Sequence, residues 1–140
     1  MKVGSVMHRS VIWVDPQTPL DTVAKKMRAE DIGAVPVGEN DRLIGMVTDR
    51  DICCRGIGNG RRDVQTLAAR DVMSKPILYC REDDDLESAV RTMKKGKVRR
   101  LPVINEKKRM VGMLSLGDIA AKGTRDLSAS ALKVLATHHP

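Results

Sequence analysis

Phenylalanine is absent from this 140-residue chain, and the aromatic side chains are Trp13 and Tyr79. Any core must therefore be aliphatic, built from Val, Ile, Leu, Ala and eight Met, the last a flexible side chain that fills irregular gaps. The same scarcity argues against a base-stacking platform for single-stranded nucleic acid, which needs aromatic rings. No apolar run reaches the ~18–20 residues of a membrane-spanning helix. The opening Met1-Lys2-Val3-Gly4 lacks a signal peptide's long apolar stretch. These two absences predict a cytoplasmic protein with no membrane partner.

Cysteine is scarce too: Cys53, Cys54 and Cys80, an odd number whose spacing suits neither a disulfide framework nor a zinc site. They read as small, partly buried thiols of a cytosolic protein, with redox or metal sensing as the minor reading, and no metal site is assigned. The histidines are His8, His138 and His139. His8 could approach a ligand near Met7 but has no evident partner in the sequence, and the other two lie in a tail expected to fray. No Ser/His/Asp or Cys/His set stands out. Gly56-Ile57-Gly58-Asn59-Gly60-Arg61 lacks the Gly-Lys-Ser/Thr ending of a phosphate-binding loop. No catalytic residue and no catalytic cofactor is therefore assigned, and an enzyme is not expected.

Present instead is an internal repeat. Val6-Met7 returns as Val72-Met73, Leu20 to Met27 as Leu86 to Met93, and Val35-Pro36-Val37 as Leu101-Pro102-Val103, all at one constant offset. A single insertion in a polar turn then lengthens the offset by one. Ile44 to Thr48 and Asp51-Ile52 return as Val111 to Ser115 and Asp118-Ile119 in this new register. Hydrophobic residues make up 41% of the chain, enough for a core at the usual scale of ~100–200 residues per domain.

Each repeat reads the same way. Residues 11–14 and 77–79 are short β-prone runs, each followed by a helix. Thr18, Pro19 and Asp21 suit an N-cap, first position and capping-box acid, and Asp84 and Glu87 take the cap and acid positions in the second repeat. Leu20, Val23, Ala24 and Met27 form an apolar stripe at helical spacing, as do Leu86, Ala89, Val90 and Met93. A strand with a central proline follows, then a polar turn and a second strand, residues 42–47 and 109–114. Pro36 and Pro102 remove a ladder donor, so their strands should be edges or interrupted there. Further helices start at Asp49 and near Leu116. The glycine-rich stretch 56–60 joins the repeats, and residues 127–137 form a last helix. Domains are expected at 1–62 and 63–124, with 125–140 as C-terminal helix and tail.

Both second strands end in Gly-hydrophobic-hydrophobic-hydroxyl-x-x-Asp: Gly45 to Asp51 and Gly112 to Asp118. Thr48 and Ser115 are natural N-caps, and an acid three residues on completes a capping box. The same geometry suits a ligand. Backbone N–H groups at a helix start favour an anion, and a carboxylate can accept both hydrogens of a ribose diol. Taken singly, each motif reads first as a cap; its repetition in order strengthens the ligand reading.

The order Val-Met, strand, Leu-x-x-Ala/Val-x-x-x-Met helix, Pro-Val strand and Thr/Ser-x-x-Asp resembles the cystathionine-β-synthase (CBS) domain, present twice across about residues 1 to 122. The resemblance is to stand-alone bacterial signal-transduction proteins made of two such domains. It implies an α+β fold: two pseudo-symmetric domains, each a small mixed sheet with two packing helices, and a cleft between their sheets. It also implies homodimerisation and regulation by an adenosine-containing ligand such as AMP, ADP, ATP, NAD or S-adenosylmethionine. Carried over by position, Asp51 and Asp118 would bind riboses, with Thr48, Arg50 and Ser115 near ribose or phosphate. Ile32, Gly33, Ala34, Val35 and Pro36, and Val98, Arg99, Arg100, Leu101 and Pro102, would line the adenine pockets. Val11, Ile12, Pro76 and Ile77 would contact the base. Arg50 has Gly117 as its counterpart, so its phosphate contact would be missing from the second site.

The repeats differ in charge. Lys94-Lys95-Gly96-Lys97-Val98-Arg99-Arg100 carries five basic residues, whereas Arg28 to Ala34 carries one basic and two acidic. This predicts that the second site is the stronger for phosphate, through bidentate arginine contact. The alternative is a solvated helix end whose cations suit the C-terminal dipole. The net charge of +7 favours anionic partners in general. Nucleic-acid binding is thus a competing reading, without a recognition-helix motif to carry it, and a structural dimerisation module is another. The effector that would receive the signal is not identified by any residue here.

Overall fold

The computed structural model describes residues 1–9, 12–60, 63–74 and 78–138. The chain forms two compact units. The first is Ile12–Ile77, and the second joins Met1–Val11 to Leu78–Pro140. Residues 63–74, which the repeat boundaries place with the second domain, thus pack in the first unit, and residues 1–9 pack in the second.

In the first unit α1, Leu20–Glu30, leads to the hairpin of β1, Ala34–Glu39, and β2, Arg42–Thr48. The antiparallel register runs from Ala34 opposite Thr48 to Glu39 opposite Arg42. Asn40 and Asp41 both have φ above zero (53° and 59°), the requirement of a two-residue turn matched to strand twist. A helical turn α2, Asp49–Asp51, passes directly into a π-helical turn, Ile52–Ile57. A four-residue helix α3, Ala69–Val72, closes the unit.

The second unit repeats this with additions. Its sheet has the order β3-β4-β5: β3 is Cys80–Arg81, β4 Arg100–Ile104 and β5 Met110–Ser115. β3 is parallel and β5 antiparallel to β4, so the sheet is mixed. α4, Leu86–Gly96, precedes β4; α5, Leu116–Lys122, and α6, Arg125–His138, follow β5. α6 thus begins at Arg125, ahead of the expected Leu127. Among the described residues no helix is long and apolar enough to cross a membrane.

The apolar stripes are core. Leu20, Val23 and Met27 pack with Val35, Val37, Val47 and Val72 in the first unit. Leu86, Ala89, Val90 and Met93 pack with Leu101, Val103, Leu114 and Ile119 in the second. Ala24 departs from expectation and is exposed.

Both helix starts also differ from expectation. Thr18 Oγ1 accepts from Asp15 N instead of capping α1, and Asp84 Oδ2 accepts from Arg81 N instead of capping α4. The leading donors are satisfied by backbone from far along the chain. Leu20 N donates to Leu67 O at 3.0 Å and Leu86 N to Met1 O at 3.1 Å, at equivalent positions of the two repeats. Ala69 N to Thr18 O and Arg70 N to Pro16 O in one unit likewise match Val3 N to Asp84 O and Gly4 N to Glu82 O in the other. An orphan helix donor needs a partner, and the leader of each repeat supplies it to the unit built around the other repeat's helix and strands. A salt bridge of 3.0 Å between Lys2 Nζ and Asp85 Oδ1 lies beside this junction. Its hydrogen bond raises the pKa of Lys2 and lowers that of Asp85.

The β-prone runs are not strands where expected. Of residues 12–14 only Val14 pairs, in a single bridge to Val37, and Val11 lies outside the described residues. In the second repeat pairing begins at Cys80, beyond Leu78 and Tyr79; Ile77 is outside the described residues. Proline explains the late start. β4 is the central strand, not an edge, yet its ladder with β3 opens at Val103, just after Pro102. Facing Pro102 on β5 is Met113, whose N–H and C=O both bond His8 instead. The missing proline donor therefore falls where no acceptor needs it.

The candidate ligand sites at the Thr/Ser-x-x-Asp turns

In the first unit Thr48 Oγ1 accepts from Asp51 N at 3.1 Å, and Asp51 Oδ2 accepts from Thr48 N at 2.9 Å. In the second, Ser115 Oγ accepts from Asp118 N and Asp118 Oδ2 from Ser115 N, both at 3.0 Å. Both motifs are therefore reciprocal capping boxes. Several helix-start donors expected to hold an anion are already used. Asp49 N donates to Gly33 O and Leu116 N to Arg99 O, each at 2.9 Å; Arg50 N donates to Asp49 Oδ1.

These backbone bonds bring predicted site residues together. They tie Gly33 to the turn carrying Thr48 and Asp51, and Arg99 to the turn carrying Ser115 and Asp118. The strands enter through left-handed residues, Asp31 (φ 53°) and Lys97 (φ 54°), which end α1 and α4 and redirect the chain. Ile32, Gly33, Val98, Arg99 and Arg100 are half-buried. Ala34, Val35, Pro36, Leu101 and Pro102 are buried, and Val35 and Leu101 belong to the cores. Ile12 is half-buried and Arg50 exposed. Val11, Pro76 and Ile77 lie outside the described residues. A separate open groove is lined by Trp13, Val14, Asp15, Thr18, Thr22 and Lys26 and includes neither Thr48 nor Asp51.

The second oxygen of each carboxylate separates the two sites. Asp51 Oδ1 faces Arg55 Nε at 3.8 Å, beyond hydrogen-bond reach. Asp118 Oδ1 is 2.7 Å from His8 Nε2, an ion-pair contact. Asp118 is the buried charged residue of the described chain, and a buried carboxylate needs polar partners. The Arg55 contact is an i, i+4 pair, whose side chains share one helix face. His8 was not legible: its counterpart in the other repeat is Ser74, whose Oγ donates to Met46 O at 3.2 Å. The backbone matches in the two units, with His8 N bonding Met113 O and Ser74 N bonding Met46 O, but only the histidine is long enough to reach the aspartate.

The basic stretch divides. Lys94, Lys95 and Lys97 are exposed, and Lys94 and Lys95 lie in the last turn of α4, as the helix-end reading expected. Arg99 Nε is buried with no hydrogen-bond partner among the described residues. The cysteines also divide: Cys80 is buried, but Cys53 and Cys54 are exposed, contrary to expectation, because the π-helical turn that carries them buries Gly56 instead. Among the described residues no group of three metal-ligating side chains occurs.

Two matched α+β units, each with a Thr/Ser–Asp box at a strand-to-helix turn, define a tandem-domain protein. The CBS domain family model matches residues 3–55 and again 69–123, and the chain belongs to that family. Hypoxic response protein 1 of Mycobacterium tuberculosis is 38% identical over 116 residues, 82% of this chain and 80% of that protein. CBS domain-containing protein YhcV of Bacillus subtilis is 34% identical over 136 residues, 97% and 95% of the two chains. An uncharacterised protein of Methanopyrus kandleri, MK0525, is 34% identical over 120 residues, 85% of this chain. The match spans 61% of that protein's length. Among solved structures, Hypoxic Response Protein I with two coordinated zinc ions superposes with a TM-score of 0.75 at 36% identity, covering 86% of this chain and 98% of that one. The CBS domain pair of protein MJ0100, in complex with 5-methylthioadenosine and S-adenosyl-L-methionine, gives a TM-score of 0.77 at 20% identity, covering 86% and 94%.

Proposed function

We propose that this chain is a regulatory, non-catalytic module that binds an adenosine-containing ligand of the AMP, ATP or NAD type at its Thr/Ser-x-x-Asp turns. Its signal would pass through a homodimer or an effector protein. The observation that carries this reading is the acceptor capacity of Asp51. Its Oδ2 is used by the cap, while its Oδ1 has no hydrogen-bond donor among the described residues, only Arg55 at 3.8 Å. A carboxylate held rigidly by one oxygen and open at the other suits a ribose diol. The adenosine ligands of the MJ0100 domain pair support the ligand class. The unpartnered Arg99 Nε supports a phosphate in the second unit, since a buried donor without an acceptor is costly.

Thermal unfolding with AMP, ADP, ATP, NAD and S-adenosylmethionine tests the proposal. A ligand at ~100 times its dissociation constant adds about 2.7 kcal/mol of stability, and Asp51→Ala and Asp118→Ala should each reduce the gain. No shift with any of the five would reject it.

A further inference from the structure

We propose that His8 is an internal competitor for the diol site of the second unit, so that ligand reaches Asp118 only by displacing the imidazole. This rests on the adenosine reading above and adds a determinant of how the two sites differ.

Asp118 has both oxygens engaged, Oδ2 by Ser115 N at 3.0 Å and Oδ1 by His8 Nε2 at 2.7 Å. Its side chain keeps only 8% of its exposure, whereas that of His8 keeps 63%. The cap bond belongs to the helix start and stays. The imidazole is the movable partner: it is exposed, and its backbone is fixed independently by two 2.9 Å bonds with Met113. A ring that swings away leaves the strand pairing intact. Asp51 has no such occupant, because Ser74 takes the place of His8 and its hydroxyl bonds Met46 O. The first unit should therefore accept a diol directly, and the second should exchange its imidazole contact for the diol. Losing a net charge-assisted bond of this kind weakens binding about tenfold or more.

Calorimetric titration of adenosine and 2′,3′-dideoxyadenosine into wild type, His8→Ala and Asp118→Asn gives the test. Adenosine should bind the second unit of His8→Ala about tenfold more tightly than that of wild type. Dideoxyadenosine should gain nothing, and Asp118→Asn should bind adenosine at one site only. Equal gains for both ligands would mean simple unblocking, and unchanged affinity would mean no competition; either overturns the inference. Wild type binding adenosine through Asp118, with His8→Ala unaltered, sinks this inference alone. Failure of wild type and His8→Ala to bind any adenosine ligand sinks the proposed function with it. Should Asp118→Asn not fold, the His8 ring resonance of wild type decides: saturating adenosine must shift it and dideoxyadenosine must not.

Discussion

The carbonyl oxygen of His8 fills the space in which a side chain on Gly112 would have to stand. Gly45, its counterpart, faces the flexible end of Met73, with Sδ 2.6 Å from where a Cβ would lie. The glycine that opens each Gly-hydrophobic-hydrophobic-hydroxyl motif is thus clearance for the incoming leader of the other repeat. Gly112→Ala must push backbone away from β5 and should cost about 1–3 kcal/mol, the usual range for overpacking. Gly45→Ala meets an adaptable thioether and should cost less. Urea midpoints for the two variants check the order, and equal losses would show that the backbone contact is not limiting.

The leaders themselves make a second prediction. Val3 is fully buried in the core of the second unit, although chain ends usually tolerate change. Val3→Ala should cost about 2 kcal/mol, from lost burial and the cavity left behind. A loss no larger than that of an ordinary surface substitution, about 0.5 kcal/mol, would show that the N-terminal segment adds little to this unit.

How far the sequence disclosed this arrangement depends on the range of the interaction. The stripe Leu86, Ala89, Val90 and Met93 was legible because helical periodicity is local and burial follows it. The boxes at Thr48–Asp51 and Ser115–Asp118 were legible for the same reason: donor and acceptor lie three residues apart. The starts of α1 and α4 were misread because Thr18 and Asp84 fit a local cap, whereas their leading donors go to Leu67 and Met1. Nothing in a linear pattern reports a hydrogen bond between Met1 and Leu86. The His8–Asp118 contact was hidden likewise, since a single histidine distant in sequence carries no spacing signal.

The capping boxes give a third prediction. Thr48→Ala and Ser115→Ala each remove the oxygen that accepts from an aspartate N–H and should each cost about 1 kcal/mol. In a double-mutant cycle Ser115 and Asp118 should couple, because each holds the other's backbone. Additive losses, read from denaturation midpoints, would show that the boxes are geometric coincidences.

The thiols make the last prediction. Burial, and then the charge of Asp84, push the Cys80 thiol up from 9.0 to about 12, while Cys53 and Cys54 are exposed. At pH 8 a thiol reagent should label Cys53 and Cys54 in the native protein and Cys80 only as fast as the second unit opens. The same shift sets a pH dependence. Below pH 9 the thiol is protonated in both folded and unfolded chains and has no effect. Between about 9 and 12 the unfolded chain releases its proton while the folded chain keeps it, so stability falls as pH rises, by up to ~1.4 kcal/mol per pH unit. Other groups titrate in this range, so the comparison is with Cys80→Ala. That variant is less stable than wild type at pH 8 through its cavity, and the gap between them should narrow steadily toward pH 11. Parallel stability curves would show that Cys80 ionises as readily in the folded protein as in the unfolded chain.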